Sequence, residues 1–255
     1  MKKTSTDHHW NERAVRETDD TKVNIADTVQ RELETNFVLS CLPSKGKVLE
    51  VGCGNGHLTS LLRERVEYVD SFDFSENMIQ RARRNVGERN NRFSHASVLA
   101  REAAPQSEYR AIVCIRVLIN LANLNEQLQA VKNMATWLEP GGVLILVEGF
   151  RDGFDSLNEL RQRIGMSEVT PAKINFYSSL QDIMPTLNEG FAITSQWHSG
   201  MFDFLTRIVY PALIGVDGAR GPSDFHEKIK PIADSFNPQV FEPFARVRGF
   251  CFVKR

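Results

Sequence analysis

The feature that most constrains this chain is a glycine at every second position directly after a short apolar run. The run is Val48–Val51, and the glycines are Gly52, Gly54 and Gly56. Glycine has no Cβ, so it adopts positive φ and lets a ligand lie directly on the main chain. A helix that begins after such a turn presents free backbone N–H groups and its positive dipole end. The spacing does not match the G-x-G-x-x-G of a dinucleotide-binding turn, because His57 stands where the third glycine is required.

Composition places the chain among ordinary globular proteins and argues against several function classes. Its 255 residues are 42% hydrophobic and 25% charged, with a formal net charge of −1. This balance argues against a nucleic-acid partner, and we interpret Arg81, Arg83 and Arg84 as the solvated face of a helix. No apolar run reaches membrane-spanning length, and the first residues, Met1–Thr4, lack the apolar core that is typical of a signal peptide. We therefore expect a cytoplasmic protein with no membrane partner.

Cysteine usage predicts a reducing compartment and no metal. The four cysteines are scattered without paired spacing, which is typical neither of a disulfide framework nor of a zinc site. They are Cys41, Cys53, Cys114 and Cys251. We expect a metal-independent activity.

Strand and helix patterns alternate between residues 47 and 149. The predicted strands are Lys47–Val51, Tyr68–Asp73, Arg92–His95, Ala111–Ile115 and Val143–Val147. The predicted helices are Gly56–Arg65, a helix that Ser75 caps and that ends near Val86, and Leu124–Leu138. This alternation predicts an α/β fold with a parallel sheet and helices on both faces. The alternating segment Ala245–Lys254 predicts a last, antiparallel strand.

The chain divides at about residue 46. Residues 1–45 are predicted to be a helical segment, because Val29, Leu33 and Phe37 form one apolar stripe, with a disordered start around His8 and His9. Residues 46–255 form the main domain, with insertions at about 150–180 and 200–240 that build a cap over the substrate. The apolar segment 201–211 is interpreted as a lid, a dimer surface or core.

Polar residues follow the predicted strands at their carboxyl ends. In a parallel α/β sheet the ligand lies beyond these ends, near the point where strand order reverses. The Asp73 carboxylate can accept hydrogen bonds from both hydroxyls of a ribose, so we prefer that role to a surface acid before a helix. The residues predicted at this edge are Glu50–Gly56, Asp73, Ser97, Arg116 and Glu148.

Three motifs, in order along the chain, resemble those of the class I methyltransferases that use S-adenosylmethionine. They are the acidic glycine turn Glu50–Gly56, the run Tyr68–Ile79 with Asp73 before a Ser-x-x-Met helix start, and the Pro-Gly-Gly turn Glu139–Leu144. The resemblance implies a Rossmann-like, seven-stranded, mostly parallel sheet. It also implies S-adenosyl-L-methionine as cofactor, S-adenosyl-L-homocysteine as product, and a segment 1–45 that closes over the cofactor.

The same resemblance implies which residues bind the cofactor. The glycine turn holds the methionine part, Asp73 holds the ribose, and Phe74 and Met78 pack on the adenine. Two positions depart from the family. Ser97 stands where an Asp usually contacts the adenine, and Arg116, where many relatives carry a His pair, either pairs with the cofactor carboxylate or supports the sheet edge. The implied cofactor-binding residues are Glu50, Gly52, Cys53, Gly54, Gly56, Asp73, Phe74, Met78, Ser97, Val98 and Arg116.

The acceptor side is less constrained by the sequence. Glu148 ends a strand where an acceptor is expected, and Tyr177 and His198 are further catalytic candidates by residue type. Packing roles are the alternatives for Tyr177, His198 and His226. Arg161 is either an anchor for an anionic acceptor or solvated. The candidate substrate-binding residues are Trp10, Asn24, Arg151 and Tyr177.

The run Glu148–Arg161 resembles a bacterial subgroup of these enzymes from surface-polysaccharide and other small-metabolite pathways. We expect a monomeric or homodimeric methyltransferase that acts on a small molecule, with an oxygen of a sugar or sugar nucleotide as acceptor. The alternatives are N-methylation of a small molecule and a non-catalytic S-adenosylmethionine-binding module. A nicotinamide-dependent oxidoreductase is disfavoured by the glycine spacing, and a nucleic-acid methyltransferase by the balanced charge.

Overall fold

One mixed sheet organises the part of the chain that the computed structural model describes, residues 5–104 and 108–255. Its seven strands are β1 (Lys47–Val51), β2 (Tyr68–Asp73), β3 (Asn91–His95), β4 (Tyr109–Ile115), β5 (Leu138–Gly149), β6 (Phe191–His198) and β7 (Val247–Lys254). They lie in the order β3-β2-β1-β4-β5-β7-β6. Strands β1 to β5 are parallel, and β7 is antiparallel to both β5 and β6. The predicted seven-stranded, Rossmann-like architecture is confirmed.

The strand order reverses between β1 and β4, which are neighbours in the sheet. Chain that leaves these two strands diverges to opposite sides, and this divergence opens a crevice at their carboxyl ends. Gly52 follows β1 and Arg116 follows β4. The fold thus places both predicted binding positions at the crevice.

Helices cover both faces of the sheet. Those in the described residues are α1 (Ser5–Arg16), α2 (Thr28–Cys41), α3 (His57–Leu62), α4 (Glu76–Val86), α5 (Leu124–Trp137), α6 (Arg151–Arg163), α7 (Leu180–Gly190), α8 (Gly200–Phe204), α9 (Tyr210–Ile214) and α10 (Asp224–Ser235). Short 3-10 turns span Leu118–Asn120 and Gln239–Phe244, and a π-helical turn spans Leu205–Val209. The predicted cap of α4 is confirmed, because the Ser75 hydroxyl accepts a hydrogen bond from the Met78 N–H at 3.2 Å.

The start of β5 differs from the prediction. The strand begins at Leu138, which pairs with Tyr109, whereas Val143 pairs with Ala111. Five residues of β5 therefore lie opposite two residues of β4, and the Pro-Gly-Gly turn forms a bulge inside the strand instead of preceding it.

Alternate residues of the central strands enter two apolar layers. Ile112 and Cys114 of β4 pack in a layer with Trp137 of α5, while Ala111 and Val113 pack in the opposite layer with α2 and α3. Side chains of successive strand residues point to opposite faces, so an unbroken apolar run fits only a strand that is covered on both sides.

The N-terminal segment is helical from Ser5, and the predicted disordered start around His8 and His9 is wrong because both lie within α1. Asn11 fixes this helix to the start of α4. Its side-chain oxygen accepts hydrogen bonds from the Ser75 hydroxyl at 2.9 Å and the Asn77 N–H at 3.3 Å. The periodicity of apolar residues does not predict polar contacts of this kind between distant helices.

Arg81 is buried, so our interpretation of it as part of a solvated face is wrong. Its guanidinium donates hydrogen bonds to the carbonyls of Ala14 at 2.8 Å and Glu17 at 2.6 Å, and pairs with the Asp20 carboxylate. Arg83 and Arg84 are exposed as expected. One arginine of α4 thus fastens the end of α1 and the chain that follows it.

The region 200–240 packs against α2 at a distance from the glycine turn. Phe202 and Ile229 join Val29 and Leu33 in one buried apolar cluster, so part of segment 201–211 is core. Arg161 is also buried and not solvated, since it donates a hydrogen bond to the Ser167 carbonyl at 2.6 Å.

A search of the described helices for a membrane span finds none that combines the necessary length with the necessary apolar character.

We predict that Arg81→Met destabilises the fold by about 1–3 kcal/mol, because it leaves a carboxylate and two carbonyls without their charged donor. Urea denaturation measures this loss. Arg84→Met, on the exposed side of the same helix, is the matched control and should change the free energy of unfolding by less than about 0.5 kcal/mol. Equal effects of the two substitutions would contradict the role of Arg81.

Candidate functional site

A cavity of about 730 Å³ opens at the carboxyl ends of β1, β2 and β4. The glycine turn forms its floor, α1 and α2 form one side, and the loop 172–175 closes another. The structure brings together here most of the predicted cofactor-binding residues. Those that line the cavity are Glu50, Gly52, Cys53, Gly54, Asp73, Phe74, Met78, Ser97, Val98 and Arg116, together with the predicted substrate-binding residues Trp10 and Asn24.

The three glycines of the turn all have positive φ, at 72° for Gly52, 52° for Gly54 and 82° for Gly56. The turn is held against β2, because the N–H groups of Gly52 and Cys53 both donate to the Phe72 carbonyl at 2.8 and 3.0 Å. Gly56 does not line the cavity. It begins α3, where a Cβ would lie 2.8 Å from Val86, so its role is close packing of α3 on α4.

The Asp73 carboxylate joins the glycine turn to α4. One oxygen accepts a hydrogen bond from the Gly54 N–H at 2.9 Å, and the other accepts one from the Ser75 N–H at 2.8 Å. Burial raises the pKa of Asp73 to about 6, although these two hydrogen bonds oppose the shift. Each oxygen keeps a second lone pair, so the carboxylate can still accept two hydroxyl donors.

Glu50 lies below the turn with its side chain buried. One of its oxygens accepts hydrogen bonds from the hydroxyls of Thr59 and Ser71, the latter at 3.2 Å. Burial raises the pKa of Glu50 to about 7, although the two hydroxyls oppose the shift. Near neutral pH this group therefore exchanges between a hydrogen-bond donor and a full negative charge at the cavity floor.

The chain between α1 and α2 lies over the turn. Asn24 donates to the Asn55 side-chain oxygen at 2.9 Å, and the Asn55 N–H donates to the Asn24 oxygen at 3.2 Å. A Cβ on Gly54 would lie 2.5 Å from that same Asn24 oxygen. The Asn24 side chain therefore occupies the space that a side chain at position 54 would need, which is one reason why this position is glycine.

A second polar link covers the opposite end of the cavity. The Trp10 indole N–H donates to the Asn120 side-chain oxygen at 2.8 Å, and the Asn120 amide donates to the Arg116 carbonyl at 2.6 Å. Helix α1 thus reaches across the crevice from β2 to the chain after β4.

The wall beside Asp73 is largely apolar, with Phe74, Met78 and Val98 among its residues. Ser97 lies in the same wall, and its hydroxyl oxygen accepts a hydrogen bond from the Leu99 N–H at 3.3 Å. The Ser97 hydroxyl proton keeps its capacity to donate, but this residue does not supply the carboxylate that an Asp would.

Arg116 is paired with a residue far away in the sequence. Its guanidinium forms a two-point ion pair with the buried Glu34 of α2, at 3.0 Å from Nε to each carboxylate oxygen. Burial alone would lower the pKa of Arg116, but the Glu34 charge outweighs burial and raises it. Of the two roles left open by the sequence, support of the sheet edge is the one for which the structure provides a partner.

Besides His9, Arg13 and Lys173, two more basic residues that the sequence analysis missed line the cavity, Arg31 of α2 and His57 at the start of α3. The Arg31 Nε–H is buried without a hydrogen-bond partner, and burial lowers the pKa of both residues. The sequence contains a pattern that could have indicated Arg31. Together with Glu34 and Thr35 it forms a polar stripe beside the apolar stripe of α2.

The three predicted catalytic residues do not line the cavity. Glu148 is buried, and its oxygens accept hydrogen bonds from the N–H groups of Leu118 at 2.6 Å and Gly149 at 2.8 Å. Burial raises the pKa of Glu148 to about 7. Because both carboxylate oxygens accept backbone hydrogen bonds, the role of Glu148 is structural. The Tyr177 ring packs edge-on against the Phe154 ring, with 5.0 Å between the ring centroids.

The other predicted residues are also displaced from the cavity. His198 lines a separate crevice of about 320 Å³ with Arg248 and Glu242. The side chain of Arg151 is half-exposed near Asp155 and Asp182, at 3.8 Å from each. His226 is buried in the 200–240 region. Strand-end position and residue type alone did not reveal which side of the sheet each side chain occupies.

Within residues 5–104 and 108–255, no three His, Cys, Asp or Glu side chains converge in a way that would hold a metal ion.

An open α/β sheet with a glycine bend, a ribose-compatible carboxylate and an apolar wall defines a nucleoside-binding class of protein. Residues 20–196, more than two thirds of the chain, match a family model described as a methyltransferase domain. The chain therefore belongs to this methyltransferase family, as the resemblance implied, and S-adenosylmethionine is its cofactor.

Curated relatives match part of the chain. An uncharacterised methyltransferase of Mycobacterium tuberculosis is 30% identical over 100 residues, which cover 39% of this chain and 49% of that protein. The bifunctional biotin-biosynthesis protein BioCD of Bordetella avium is 26% identical over 174 residues, 63% of this chain and 34% of that protein. The matched segments thus span half or less of the length of these curated relatives.

Two crystal structures with bound S-adenosyl-L-homocysteine share the fold over nearly the whole chain. The N-methyltransferase NodS of Bradyrhizobium japonicum has a TM-score of 0.60 and 17% identity, and the match covers 98% of both chains. The magnesium protoporphyrin IX methyltransferase of Synechocystis has a TM-score of 0.60 and 17% identity, covering 98% of this chain and 95% of that chain.

We predict that Glu50→Gln removes a pH dependence of stability. The pKa of Glu50 is raised from its ordinary value of 4.5 to about 7, so its contribution to stability is full below pH 4.5 and is lost as the pH rises through about 7. The variant keeps the oxygen that Thr59 and Ser71 contact but cannot ionise.

Urea denaturation at pH 5 and pH 8 measures the effect. The free energy of unfolding of Glu50→Gln relative to the unmodified chain should increase by about 1–3 kcal/mol between these pH values. Glu67→Gln, an exposed acid just before β2, is the control and should show no such increase. A difference for Glu50→Gln that is constant with pH would contradict the raised pKa.

Proposed function

We propose that this chain transfers the methyl group of S-adenosylmethionine to a small-molecule acceptor in the cavity. The observation that carries the proposal is the continuity of one cavity from the glycine bend and Asp73 to the surface that α1 and loop 172–175 cover. Cofactor and acceptor would therefore share one enclosed space, as direct transfer requires.

The residues of the cavity fit the cofactor part by part. The backbone at Gly52 and Gly54 has no Cβ and suits the methionine part, and Arg31 and His57 lie beside it as partners for a carboxylate. Asp73 would accept the two ribose hydroxyls, and Met78 with its apolar neighbours would pack on the adenine. The bound cofactor supplies an electrophilic methyl carbon on a sulfonium leaving group.

The protein's contribution to such a displacement is alignment of the acceptor atom with the methyl carbon and sulfur. Closure over the cavity comes from α1, whose Thr6 hydroxyl donates to the Ile174 carbonyl at 3.5 Å, and from the Trp10 contact with Asn120. A volume of about 730 Å³ is within the range of small-molecule sites. This size supports a cofactor with a small acceptor.

Oxygen is the acceptor atom we favour, because His9 lines the cavity and burial lowers its pKa, so the ring is neutral near pH 7. A neutral imidazole can take the proton from a hydroxyl acceptor as it attacks. A sugar or sugar nucleotide remains our specific proposal, with Lys173 of the covering loop as the cation for an anionic group. Nitrogen is the second candidate, since an amine needs no base and NodS is described as an N-methyltransferase.

An untargeted product screen tests this function. The purified chain is incubated with methyl-labelled S-adenosylmethionine and fractionated bacterial metabolites, and labelled products are identified by mass spectrometry. We expect a labelled small molecule with the label on oxygen. Binding of S-adenosyl-L-homocysteine without any labelled product would instead support a non-catalytic binding module.

We predict that Gly54→Val abolishes cofactor binding. At this position φ is +52°, and a Cβ would lie 2.5 Å from the Asn24 side chain that covers the turn. Titration calorimetry with S-adenosyl-L-homocysteine should show affinity reduced at least about 100-fold, which corresponds to roughly 3 kcal/mol.

The matched control is Gly87→Val, which imposes the same kind of backbone strain at φ +71° with no atom within 4 Å of the new Cβ. It should bind S-adenosyl-L-homocysteine normally. Equal binding by both folded variants would place the cofactor elsewhere.

We predict that His9→Gln slows methylation of a hydroxyl acceptor by about 10²–10⁴-fold, because the substitution removes the general base. The affinity for the cofactor should stay unchanged, because the residues that bind the cofactor are still present. Its neighbour His8 is exposed on the same helix, so His8→Gln should keep full activity. Initial rates with the acceptor from the product screen measure both. An unaffected rate for His9→Gln would favour an acceptor that needs no base.

A further inference from the structure

Helix α2 lies along β7 in a register that places two cysteines together. Phe37 covers Gly249, where a Cβ would lie 2.5 Å from the phenyl ring. One helical turn beyond Phe37 comes Cys41, and two strand residues beyond Gly249 comes Cys251. Four residues of helix advance about 6.0 Å and two residues of strand about 6.7 Å. The two advances nearly match, so the thiols face each other across the helix–sheet contact.

Cys41 packs against the apolar layer that contains Cys251, and the two thiols interact with each other. Cys251 is 7% exposed and belongs to the apolar layer under α2, whereas Cys41 is half-buried at the last residue of the helix. Both are free thiols. The exposed residues Ser40, Thr194 and Ser195 border the pair, so a small solute reaches it from the edge of the sheet.

The environment of the pair favours one thiolate. The hydrogen bond from Cys41 lowers the pKa of Cys251 to about 6, burial opposes this, and the Thr194 hydroxyl adds to it. The same contact raises the pKa of Cys41. A thiolate is the nucleophilic form of cysteine, and a thiol in contact with it is positioned to complete a disulfide.

The remaining cysteines differ from this pair. Cys53 and Cys114 are fully buried, and burial raises the pKa of each well above its ordinary value. Each therefore stays a protonated thiol that a soluble oxidant does not reach.

We propose that Cys41 and Cys251 form a reversible intramolecular disulfide when the protein meets a peroxide. The Cys251 sulfur attacks one peroxide oxygen, the O–O bond breaks, and a sulfenic acid and one water form. The Cys41 sulfur then attacks the sulfenic sulfur and releases a second water. Two thiols and one hydrogen peroxide thus give one disulfide and two waters, with the peroxide reduced by two electrons.

Such a bond would act on the methyltransferase cavity through α2. This helix presents Arg31, Glu34 and Thr35 to the cavity and ends at Cys41. A covalent link from Cys41 to β7 fixes this wall of the cavity to the sheet. It also closes a loop that contains nearly the whole domain, which restricts the unfolded chain.

The test oxidises the full chain with equimolar hydrogen peroxide, alkylates the denatured protein with iodoacetamide and measures intact mass and tryptic peptides. We expect two alkylated cysteines, Cys53 and Cys114, and a peptide crosslinked between Cys41 and Cys251. Cys41→Ser and Cys251→Ser should each abolish the crosslink, whereas Cys114→Ser should retain it. The midpoint of thermal unfolding should rise on oxidation of the unmodified chain, return with dithiothreitol, and stay unchanged in Cys41→Ser.

Four alkylated cysteines after oxidation, a crosslink between two chains, or over-oxidised cysteine without a crosslink would overturn the proposal. Thermal unfolding of the reduced variants shows whether each folds. If Cys251→Ser does not fold, Cys41→Ser gives the same decision, because Cys41 is only half-buried at the end of α2.

Discussion

The Asp73 carboxylate is the contact on which the site depends, because it joins the turn after β1 to the helix after β2. Its two oxygens accept the N–H groups of Gly54 and Ser75. These hydrogen bonds hold the glycine bend open at the point where the strand order reverses. Burial keeps the pKa of Asp73 near 6, so the carboxylate is not fully compensated by the protein. Two further donors from a ribose would complete its coordination, which is a physical reason for the site to favour a nucleoside.

Two kinds of contact hold the N-terminal segment over this carboxylate. Arg81 is buried and binds the chain at residues 14–20 through charged hydrogen bonds. The Asn24 pair with Asn55 and the Trp10 contact with Asn120 are neutral hydrogen bonds at the mouth of the cavity. Neutral hydrogen bonds to part-buried groups contribute less than charged ones. The segment is thus anchored at α4 by charged contacts and held more weakly at the glycine turn and at Asn120.

Local patterns in the sequence were sufficient for the sheet and for the floor of the site. Apolar runs such as Ala111–Ile115 require burial on both faces, Ser75 has the residue type and position of a helix cap, and glycines at alternate positions require a bend without side chains. Each of these signals is carried by neighbouring residues. The methyltransferase resemblance then ordered them into one fold.

Signals that depend on distant residues were not available from the sequence. Arg81 is buried by partners more than 60 positions away, and Arg116 finds Glu34 82 positions away. Glu148 ends a strand at the expected edge, yet its oxygens serve the backbone of the next turn. His9 reaches the cavity because Asn11 docks α1 on α4. Periodicity places a residue on an element, but only packing of elements decides which side chains share a cavity.

A crystal structure of the full chain with S-adenosyl-L-homocysteine tests the central claim most directly. The account predicts ligand density along the glycine bend, with both ribose hydroxyls within hydrogen-bond distance of the Asp73 carboxylate and the adenine against Met78. An empty cavity with the ligand bound elsewhere, or a ribose that does not contact Asp73, would contradict it.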